Sequence, residues 1–243
     1  MNIKIVDNYN ELSQQAADLV VAQVHKKSNT VFGLATGSTP EGMYACLVGI
    51  YKEKKVDFSA LVTFNLDEYL GLAPTHPQSY HHYMYRHFFD HVNIKESNIH
   101  IPHCKGRDPG LICREYEQKI KNAGGLDLQI LGIGPNGHIG FNEPQGHLYS
   151  ETHLVELNEE TIEANSRFFK SLDEVPRKAV TMGVGSIMGA VKILLLASGD
   201  SKAEAVRDMC SGRITTMVPA SLLQLHQDVT VLVDREAASL LQS

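Results

Sequence analysis

The chain has 243 residues, 43% hydrophobic and 21% charged, with a formal net charge of −6. This composition is typical of a globular protein, and the length predicts one domain spanning residues 1–243. With no basic stripe and no apolar run approaching about 20 residues, the sequence predicts neither a nucleic-acid partner nor a membrane partner. Four scattered cysteines without a C-x-x-C pair, and an N-terminus without the apolar core of a signal peptide, predict a cytoplasmic protein.

Predicted strands and helices alternate along the chain. Apolar runs predict strands at residues 2–6, 30–35, 61–65, 128–131, 179–182, 193–196 and 229–233. Helical periodicity and stop signals predict helices at residues 10–27, 41–54, 80–90, 108–123 and 201–210. This pattern indicates an α/β fold with a mostly parallel sheet and helices on both faces. Residues 145–177 lack a clear buried strand and form either a mobile flap over the site or an ordinary surface excursion.

Four polar or glycine-rich stretches come directly after predicted strands. They are residues 36–39, Asp67, residues 132–143 and residues 199–202. Because ligands bind at the carboxyl ends of the strands in open parallel sheets, we expect these stretches to converge on one edge.

The stretch Leu-Gly-Ile-Gly-Pro-Asn-Gly-His-Ile-Gly-Phe-Asn-Glu-Pro covers residues 131–144 and places Asn136, His138 and Glu143 in one loop. A carboxylate beside an imidazole favours the imidazolium form, which suits proton transfer near neutral pH. The same stretch also matches the dinucleotide fingerprint G-x-G-x-x-G, but that motif must open a helix, and Pro135 lies inside it. A third interpretation is a glycine-rich loop with an incidental histidine.

Residues 36–40 are predicted to form an anion-binding helix start. Thr39 suits the N-cap and Pro40 the first turn, while Thr36, Gly37 and Ser38 expose backbone N–H groups and hydroxyls to a phosphate. The alternative is a capped helix that binds nothing.

Two basic residues are further candidate phosphate ligands. Lys202 follows Gly199 in a predicted first helical turn, where the helix dipole disfavours a cation unless an anion is bound nearby. Arg167 has the forked guanidinium that suits a phosphate. A solvated lysine and an unrelated surface arginine are the alternatives.

Asp67 follows a predicted strand and is a candidate general base. One alternative is that it makes loop hydrogen bonds, and another is that one of the two adjacent acids, Asp67 or Glu68, simply faces solvent. His87 and His91 have a spacing of four, but no H-E-x-x-H motif surrounds them, so the sequence predicts a histidine-rich surface helix and no metal.

Taken together, residues 34–40 (LATGSTP), 64–69 (FNLDEY), 132–144 and 164–169 (ANSRFF) resemble the glucosamine-6-phosphate deaminase family. The match continues through residues 199–202 and 223–226. The resemblance implies a doubly wound Rossmann-like fold and conversion of D-glucosamine 6-phosphate and water to D-fructose 6-phosphate and ammonia, so the expected partner is a sugar phosphate.

The resemblance also implies a role for each candidate residue. His138 opens the sugar ring, with Glu143 and Asn136 orienting and tuning it. Asp67 moves a proton from C2 to C1 through an enolamine. Thr36, Gly37, Ser38, Thr39, Arg167 and Lys202 hold the phosphate. Proton transfers of this kind need neither a metal nor an organic cofactor.

One departure from the family is Asn136, where many members carry aspartate. An amide supplies no second negative charge to His138, which puts the pH profile in question. Two other functions compete. One is a 6-phosphogluconolactonase, but that family lacks the FNLDEY and FNEP motifs present here. The other is a sugar-phosphate-sensing module, as in regulators in which such a module is fused to a DNA-binding domain.

Family members activated by N-acetylglucosamine 6-phosphate use hydroxyl and basic residues after the FNEP motif, and they have a longer C-terminal tail. Residues 145–155 contain no Lys or Arg, and His153 and Val155 stand where basic residues are expected. We therefore expect a monomer or weak homo-oligomer without this activation.

Overall fold

Ten strands and seven α-helices are present in the computed structural model, which describes residues 1–166, 169 and 171–241. The strands are β1 (Asn2–Val6), β2 (Val31–Leu34), β3 (Val62–Asn65), β4 (Asp67–Tyr69), β5 (Ile99–His100), β6 (Leu128–Leu131), β7 (His153–Glu156), β8 (Lys178–Thr181), β9 (Lys192–Ala197) and β10 (Val229–Asp234). The helices are α1 (Tyr9–Lys26), α2 (Ser38–Lys52), α3 (Tyr80–His87), α4 (Pro109–Asn122), α5 (Glu159–Ser166), α6 (Val184–Met188) and α7 (Ala203–Met209). Short 3-10 helices lie at Phe89–His91, Glu96–Asn98, Leu172–Glu174, Asp200–Lys202 and Pro219–Leu225.

The main sheet has the strand order β1-β10-β9-β6-β2-β3-β5, and every neighbouring pair is parallel. The chain runs outward from β2 through β3 to β5, then returns to β6 and runs outward the other way through β9 and β10. The order therefore reverses between β2 and β6, which is where doubly wound sheets bind ligands. The predicted α/β, doubly wound, mostly parallel fold is confirmed.

Helices cover both faces of this sheet. On one face, α1 and α2 bury Leu12 and Tyr44 against strand residues that include Phe32. On the other face, α4 and α7 bury Tyr116 and Val206 against the opposite sides of the same strands. Adjacent residues of a strand point to opposite faces, so strands with a helical layer on each side are apolar along their whole length.

The start of α2 differs from the prediction. The helix begins at Ser38 rather than at residue 41, and its N-cap is Gly37 rather than Thr39. Gly37 has φ 104° and ψ 178°, a conformation that excludes most other residues, and no side chain caps the helix there. The helix therefore reaches into the predicted phosphate loop.

Two predicted helices are shorter than expected at one end. The helix predicted at 80–90 ends at His87, and His91 lies in the following 3-10 turn, so the two histidines do not share one α-helical face. The helix predicted at 201–210 is a 3-10 turn, Asp200–Lys202, followed by α7.

A second sheet, with the order β4-β8-β7, is antiparallel. The strand predicted at 179–182 is β8, the centre of this small sheet and not part of the main one. A short apolar run indicates burial but carries no information on strand direction. The other two strands were not predicted: β4 lies in a predicted loop, and β7 lies in the predicted flap region. Strand β4 has only three residues and β7 is half exposed, so neither forms a buried apolar run in the sequence.

Candidate functional site

Four loops meet at one edge of the main sheet. The strands β9, β6, β2 and β3 are consecutive neighbours, and their carboxyl ends carry residues 199–202, 132–143, 36–39 and Asp67 respectively. The predicted convergence of these stretches is confirmed by the strand order. Residues 132–143, here called the histidine loop, leave β6 at the point where the strand order reverses.

The histidine loop holds an imidazole against a carboxylate. His138 Nδ1 lies 3.2 Å from Glu143 Oε2. The Glu143 side chain is buried, whereas about a fifth of the His138 side chain is exposed. The imidazole can therefore meet a substrate on one side while the carboxylate supports it on the other.

Two amides hold the same carboxylate oxygen. Asn136 Nδ2 donates to Glu143 Oε2 at 2.9 Å, and Asn158 Nδ2 donates to the same atom at 3.0 Å. Asn136 Oδ1 also accepts a 3.2 Å hydrogen bond from the backbone N–H of His138. Asn136 therefore links the Glu143 carboxylate to the backbone of His138.

Glycines allow the loop to fold this tightly. The backbone N–H of Gly134 donates to His138 O at 2.9 Å, and a Cβ built on Gly134 would lie 2.3 Å from the imidazole. Gly137 has φ 83°, which favours glycine. It also lies against Val218, whose side chain would be 2.8 Å from a Cβ at position 137. No helix begins between β6 and β7, both in the described part of the chain, so the fingerprint does not open a helix.

Asp67 lies in β4, and its side chain is buried. Burial, together with the neighbouring Glu68 carboxylate, raises the pKa of Asp67 from 3.8 to about 8. A Cβ on Gly140 would be 3.6 Å from Asp67 Oδ2, so the histidine loop passes directly beside this carboxyl group. A buried carboxyl group with a pKa near the working pH can both accept and donate a proton.

Glu68 is buried as well, which excludes the alternative that one of the two acids faces solvent. Its carboxylate accepts 2.9 Å hydrogen bonds from the backbone N–H groups of Tyr69, Tyr80 and His81. Burial raises the pKa of Glu68 to about 7, although these donors oppose the rise. Glu68 thus anchors the start of α3 to β4 and leaves Asp67 as the carboxyl group beside the histidine loop.

The loop before α2 exposes backbone and hydroxyl donors. Ser38 is exposed and Thr36 and Thr39 are partly exposed. Two carbonyl groups of the loop are occupied instead: Tyr83 Oη donates to Gly37 O at 2.7 Å, and Tyr9 Oη donates to Ser38 O at 2.8 Å. With these carbonyl groups held by tyrosines and its N–H groups at a helix start, the loop suits an anion.

A second glycine-capped helix start lies on the other side of the histidine loop. Gly199 has φ 90° and ψ 154°, similar to Gly37, and precedes the turn that contains Lys202. The Gly199 backbone N–H donates to both carboxylate oxygens of Asp234 at 3.1 Å, and Ala237 N donates to Asp234 Oδ1 at 2.8 Å. Asp234, at the end of β10, therefore fixes the loop that presents Lys202.

Comparison with known proteins identifies the family. The model of the glucosamine-6-phosphate isomerase and 6-phosphogluconolactonase family matches residues 7–232. The chain belongs to this family. A protein of Thermoanaerobacter sp. (strain X514) named glucosamine-6-phosphate deaminase is 58% identical over 241 residues, covering 99% of this chain and 95% of its own length. A deaminase of Halothermothrix orenii is 57% identical, with coverage of 99% and 100%.

Solved structures of the glucosamine-6-phosphate isomerase and 6-phosphogluconolactonase family agree with this fold. A structure described as a monomeric glucosamine-6-phosphate deaminase superposes with a TM-score of 0.96 at 50% identity, covering 99% of this chain and all of its own. A 6-phosphogluconolactonase from Trypanosoma cruzi superposes with a TM-score of 0.79, but at 19% identity, so it shares the fold alone. It covers 100% of this chain and 97% of its own.

Within this family fold, sequence reasoning found most of the polar groups at the edge but missed three. Asn158 lies beyond β7, and nothing in its surroundings distinguishes it from a surface amide. Thr181 ends β8 and accepts a hydrogen bond from the histidine loop, which only the strand pairing could indicate. Asp234 is the last residue of β10, just as Asp67 comes shortly after β3. Its position at the end of a predicted strand was a signal that could have marked it as a site residue.

Arg167 lies outside the described residues, so its predicted role as a phosphate ligand stays a prediction. Across residues 1–166, 169 and 171–241, no group of three His, Cys, Asp or Glu side chains is arranged to hold a metal ion. No helix in that part of the chain is long and apolar enough to cross a membrane.

Proposed function

We propose that this chain converts D-glucosamine 6-phosphate and water to D-fructose 6-phosphate and ammonia. The observation that carries the proposal is the buried Asp67 carboxyl group beside the loop that holds the His138–Glu143 pair. An aldose–ketose conversion needs one group to open the ring and a second to move a proton between adjacent carbons. The high identity to proteins named glucosamine-6-phosphate deaminase supports the same function.

Ring opening is the proposed task of His138. The imidazole takes the proton of the anomeric hydroxyl group and delivers a proton to the ring oxygen, which breaks the C1–O5 bond. Glu143, 3.2 Å from Nδ1, stabilises the positive charge that the imidazole carries between these two transfers. Asn136 holds the Glu143 carboxylate close to His138 through its hydrogen bonds to both residues.

Asp67 then acts on the open-chain sugar. Its carboxylate removes the C2 proton to give an enolamine and returns the proton to C1, which leaves a ketimine at C2. Water adds to the ketimine and ammonia leaves, giving D-fructose 6-phosphate. A pKa near 8 suits this double task, because the group must be a base in one step and an acid in the next.

Phosphate binding at the two helix starts would place C2 against Asp67. We assign the phosphate to the backbone and hydroxyl donors of Thr36, Gly37, Ser38 and Thr39, with Lys202 and Arg167 as cationic ligands. Binding energy from this non-reacting group orients the reacting carbon, which is how an enzyme gains rate from a remote contact.

The remaining parts of the proposal concern setting and partners. We propose a single-domain cytoplasmic enzyme of amino-sugar catabolism that works without metal or organic cofactor and binds neither nucleic acid nor membrane. The net charge of −6 favours no polyanionic partner. Similarity to a structure described as a monomeric deaminase supports a monomer or a weakly associated subunit.

The decisive experiment supplies glucosamine 6-phosphate to the purified chain and measures ammonia and fructose 6-phosphate together, with and without EDTA. We expect equal amounts of both products and no loss with EDTA. Hydrolysis of 6-phosphogluconolactone without ammonia release would favour the lactonase alternative. Binding of sugar phosphates without turnover of either compound would favour the sensing module.

A further inference from the structure

Thr181 joins the strand that carries Asp67 to the loop that carries His138. In the small antiparallel sheet, Thr181 is the residue paired with Asp67. Its side chain is fully buried, and its Oγ1 accepts a 3.1 Å hydrogen bond from the backbone N–H of Phe141, a residue of the histidine loop. One residue therefore connects β4, through backbone pairing, to a loop that follows a strand of the main sheet, through its side chain.

Gly140 shows how closely these elements approach. A Cβ at this position would lie 2.9 Å from Thr181 Oγ1 and 3.6 Å from Asp67 Oδ2. The threonine hydroxyl group and the Asp67 carboxyl group thus border the same point of the loop backbone. A shift of the threonine side chain would change the space available to the loop beside Asp67.

The next residue strengthens the same junction. Met182 O accepts a 2.8 Å hydrogen bond from Asn142 Nδ2, and Met182 N donates to Leu66 O at 2.7 Å. The end of β8 is thus bonded to the histidine loop on one side and to the chain just before Asp67 on the other. Thr181 Oγ1 is the side-chain contact from this end of β8 to the loop backbone.

We propose that Thr181 is a positioning residue for the proton transfer between C2 and C1. Its hydroxyl group fixes the histidine loop relative to β4, and therefore fixes the site of ring opening relative to the Asp67 carboxyl group. The inference rests on the proposed deaminase function and adds a residue to it. Thr181 is not assigned any contact with the substrate.

The physical reason is that the two catalytic groups belong to separately supported elements. Asp67 belongs to the small sheet, whereas His138 follows β6 of the main sheet. Proton abstraction requires the C2 hydrogen to lie within reach of the carboxylate, and a misplacement of about 1 Å costs on the order of a hundredfold in rate. Ring opening depends on the His138–Glu143 pair inside one loop and is less sensitive to the junction.

The test compares Thr181→Val with Thr181→Ser. Valine keeps the shape but removes the acceptor for Phe141 N, whereas serine keeps the hydroxyl group. For Thr181→Val we expect kcat to fall roughly tenfold to a hundredfold, while KM changes less than about twofold. Exchange of the C2 proton with solvent deuterium should fall by the same factor, and Thr181→Ser should retain kcat within about threefold.

Thr63→Val is the matched control. Thr63 is a fully buried threonine in β3, the strand that leads to Asp67, and its Oγ1 has no hydrogen-bond partner among the described residues. The same substitution there removes no contact to the histidine loop, so kcat and C2 exchange should stay near those of the wild type. Circular dichroism and thermal melting establish that each variant is folded, and Thr181→Ala replaces Thr181→Val if valine prevents folding.

The outcomes separate this inference from the proposed function. Wild-type protein that releases no ammonia would contradict the proposed function itself. With an active wild type, the inference is overturned if Thr181→Val keeps its kcat, if Thr181→Ser loses as much as Thr181→Val, or if only KM changes. A loss of C2 exchange in Thr181→Val that Thr63→Val does not share would support it.

Discussion

Asn136 donates from Nδ2 to Glu143 Oε2 at 2.9 Å and accepts at Oδ1 from the backbone N–H of His138 at 3.2 Å. An amide can make both contacts, whereas a carboxylate can only accept. An aspartate at this position would therefore face Glu143 as a second negative charge without a donor between them. In this chain Glu143 Oε2 accepts hydrogen bonds from two amides, because Asn158 donates to the same oxygen as Asn136.

The first prediction is that Asn136→Asp shifts the pH–rate profile to higher pH and lowers kcat at neutral pH by roughly tenfold. Two carboxylates in contact cannot both ionise easily, so the pair should hold a proton until a higher pH is reached. Asn158→Asp is the comparison: Asn158 also donates to Glu143 Oε2, whereas the hydrogen bond from the backbone N–H of His138 goes to Asn136, so the loss in Asn158→Asp should be smaller. An unchanged profile in Asn136→Asp would contradict a direct contact between position 136 and the Glu143 carboxylate.

The second prediction concerns Asp67→Asn. An amide cannot remove the C2 proton, so turnover should fall roughly a hundredfold or more. Exchange of the C2 proton with deuterium should disappear with it. Exchange is followed by proton NMR of the substrate in deuterium oxide, and exchange near the wild-type rate would exclude Asp67 as the base.

The same variant should be more stable than the wild type at alkaline pH. The folded-state pKa of Asp67 is about 8, above the unfolded value near 3.9, so between these limits the unfolded chain releases the proton that the folded chain keeps. Stability of the wild type therefore falls as pH rises through this window, by up to a few kcal/mol. Urea unfolding at pH 5 and pH 8 should show the advantage of Asp67→Asn growing with pH. A constant difference would mean that the group is not buried as a neutral acid.

The third prediction concerns Gly134→Ala. The new Cβ would lie 2.3 Å from the His138 ring, so the imidazole must move away from Glu143, and kcat should fall about a hundredfold. Gly49→Ala, at an exposed position in the last turn of α2, is the control because its Cβ meets nothing. That control should keep full activity and gain up to about 1 kcal/mol in stability from helix propensity. Unchanged kcat in Gly134→Ala would show that the imidazole can shift without cost.

Apolar runs predicted most of the main sheet but only the central strand, β8, of the second sheet. Strands β2, β6 and β9 are buried on both faces, and such strands are continuous apolar runs in the sequence. Strand β4 contains Asp67, Glu68 and Tyr69, which read as a polar loop, because their burial comes from pairing with β8 and not from hydrophobicity. Strand β7 has only alternating partial burial and gives a weak signal.

The polar groups of the site were predictable where they follow buried strands or sit among glycines. Asp67 and His138 satisfy that rule. Asn158 and Thr181 act through contacts with residues 15 and 40 positions away, at Glu143 and Phe141. Such contacts depend on how the second sheet packs, which a single sequence does not encode in any local pattern.

The fourth prediction separates backbone from hydroxyl contributions at the first helix start. Gly37→Ala adds a Cβ that meets nothing, so its effect is conformational: φ 104° is strained for alanine, at about 1–3 kcal/mol. The N–H groups should reorient and KM for glucosamine 6-phosphate should rise roughly tenfold, with kcat less affected. Ser38→Ala tests the hydroxyl group alone and should raise KM less. The inhibition constant of inorganic phosphate should rise in parallel with KM, and a KM unchanged in Gly37→Ala would remove this loop from phosphate binding.

The last prediction is that N-acetylglucosamine 6-phosphate does not activate this protein. The corresponding stretch, residues 145–155, offers no lysine or arginine, and burial lowers the pKa of His153, which keeps its imidazole neutral at physiological pH. His153 Nδ1 lies 3.0 Å from Glu151 O, and the nearby Lys121 is paired with Glu151 at 2.9 Å. A dianionic phosphate needs charge-assisted donors to offset its desolvation, and this surface already engages its cation with a carboxylate.

Initial rates against glucosamine 6-phosphate should therefore be hyperbolic and identical with and without N-acetylglucosamine 6-phosphate. His153→Lys and Val155→Arg, combined in one variant, introduce the missing cations and test whether charge is what the surface lacks. Binding of the effector to that variant by calorimetry, with no binding to the wild type, would support the argument. A sigmoidal wild-type curve that the effector makes hyperbolic would place an effector site on another surface, because cooperativity of that kind requires two states with different affinities for the effector.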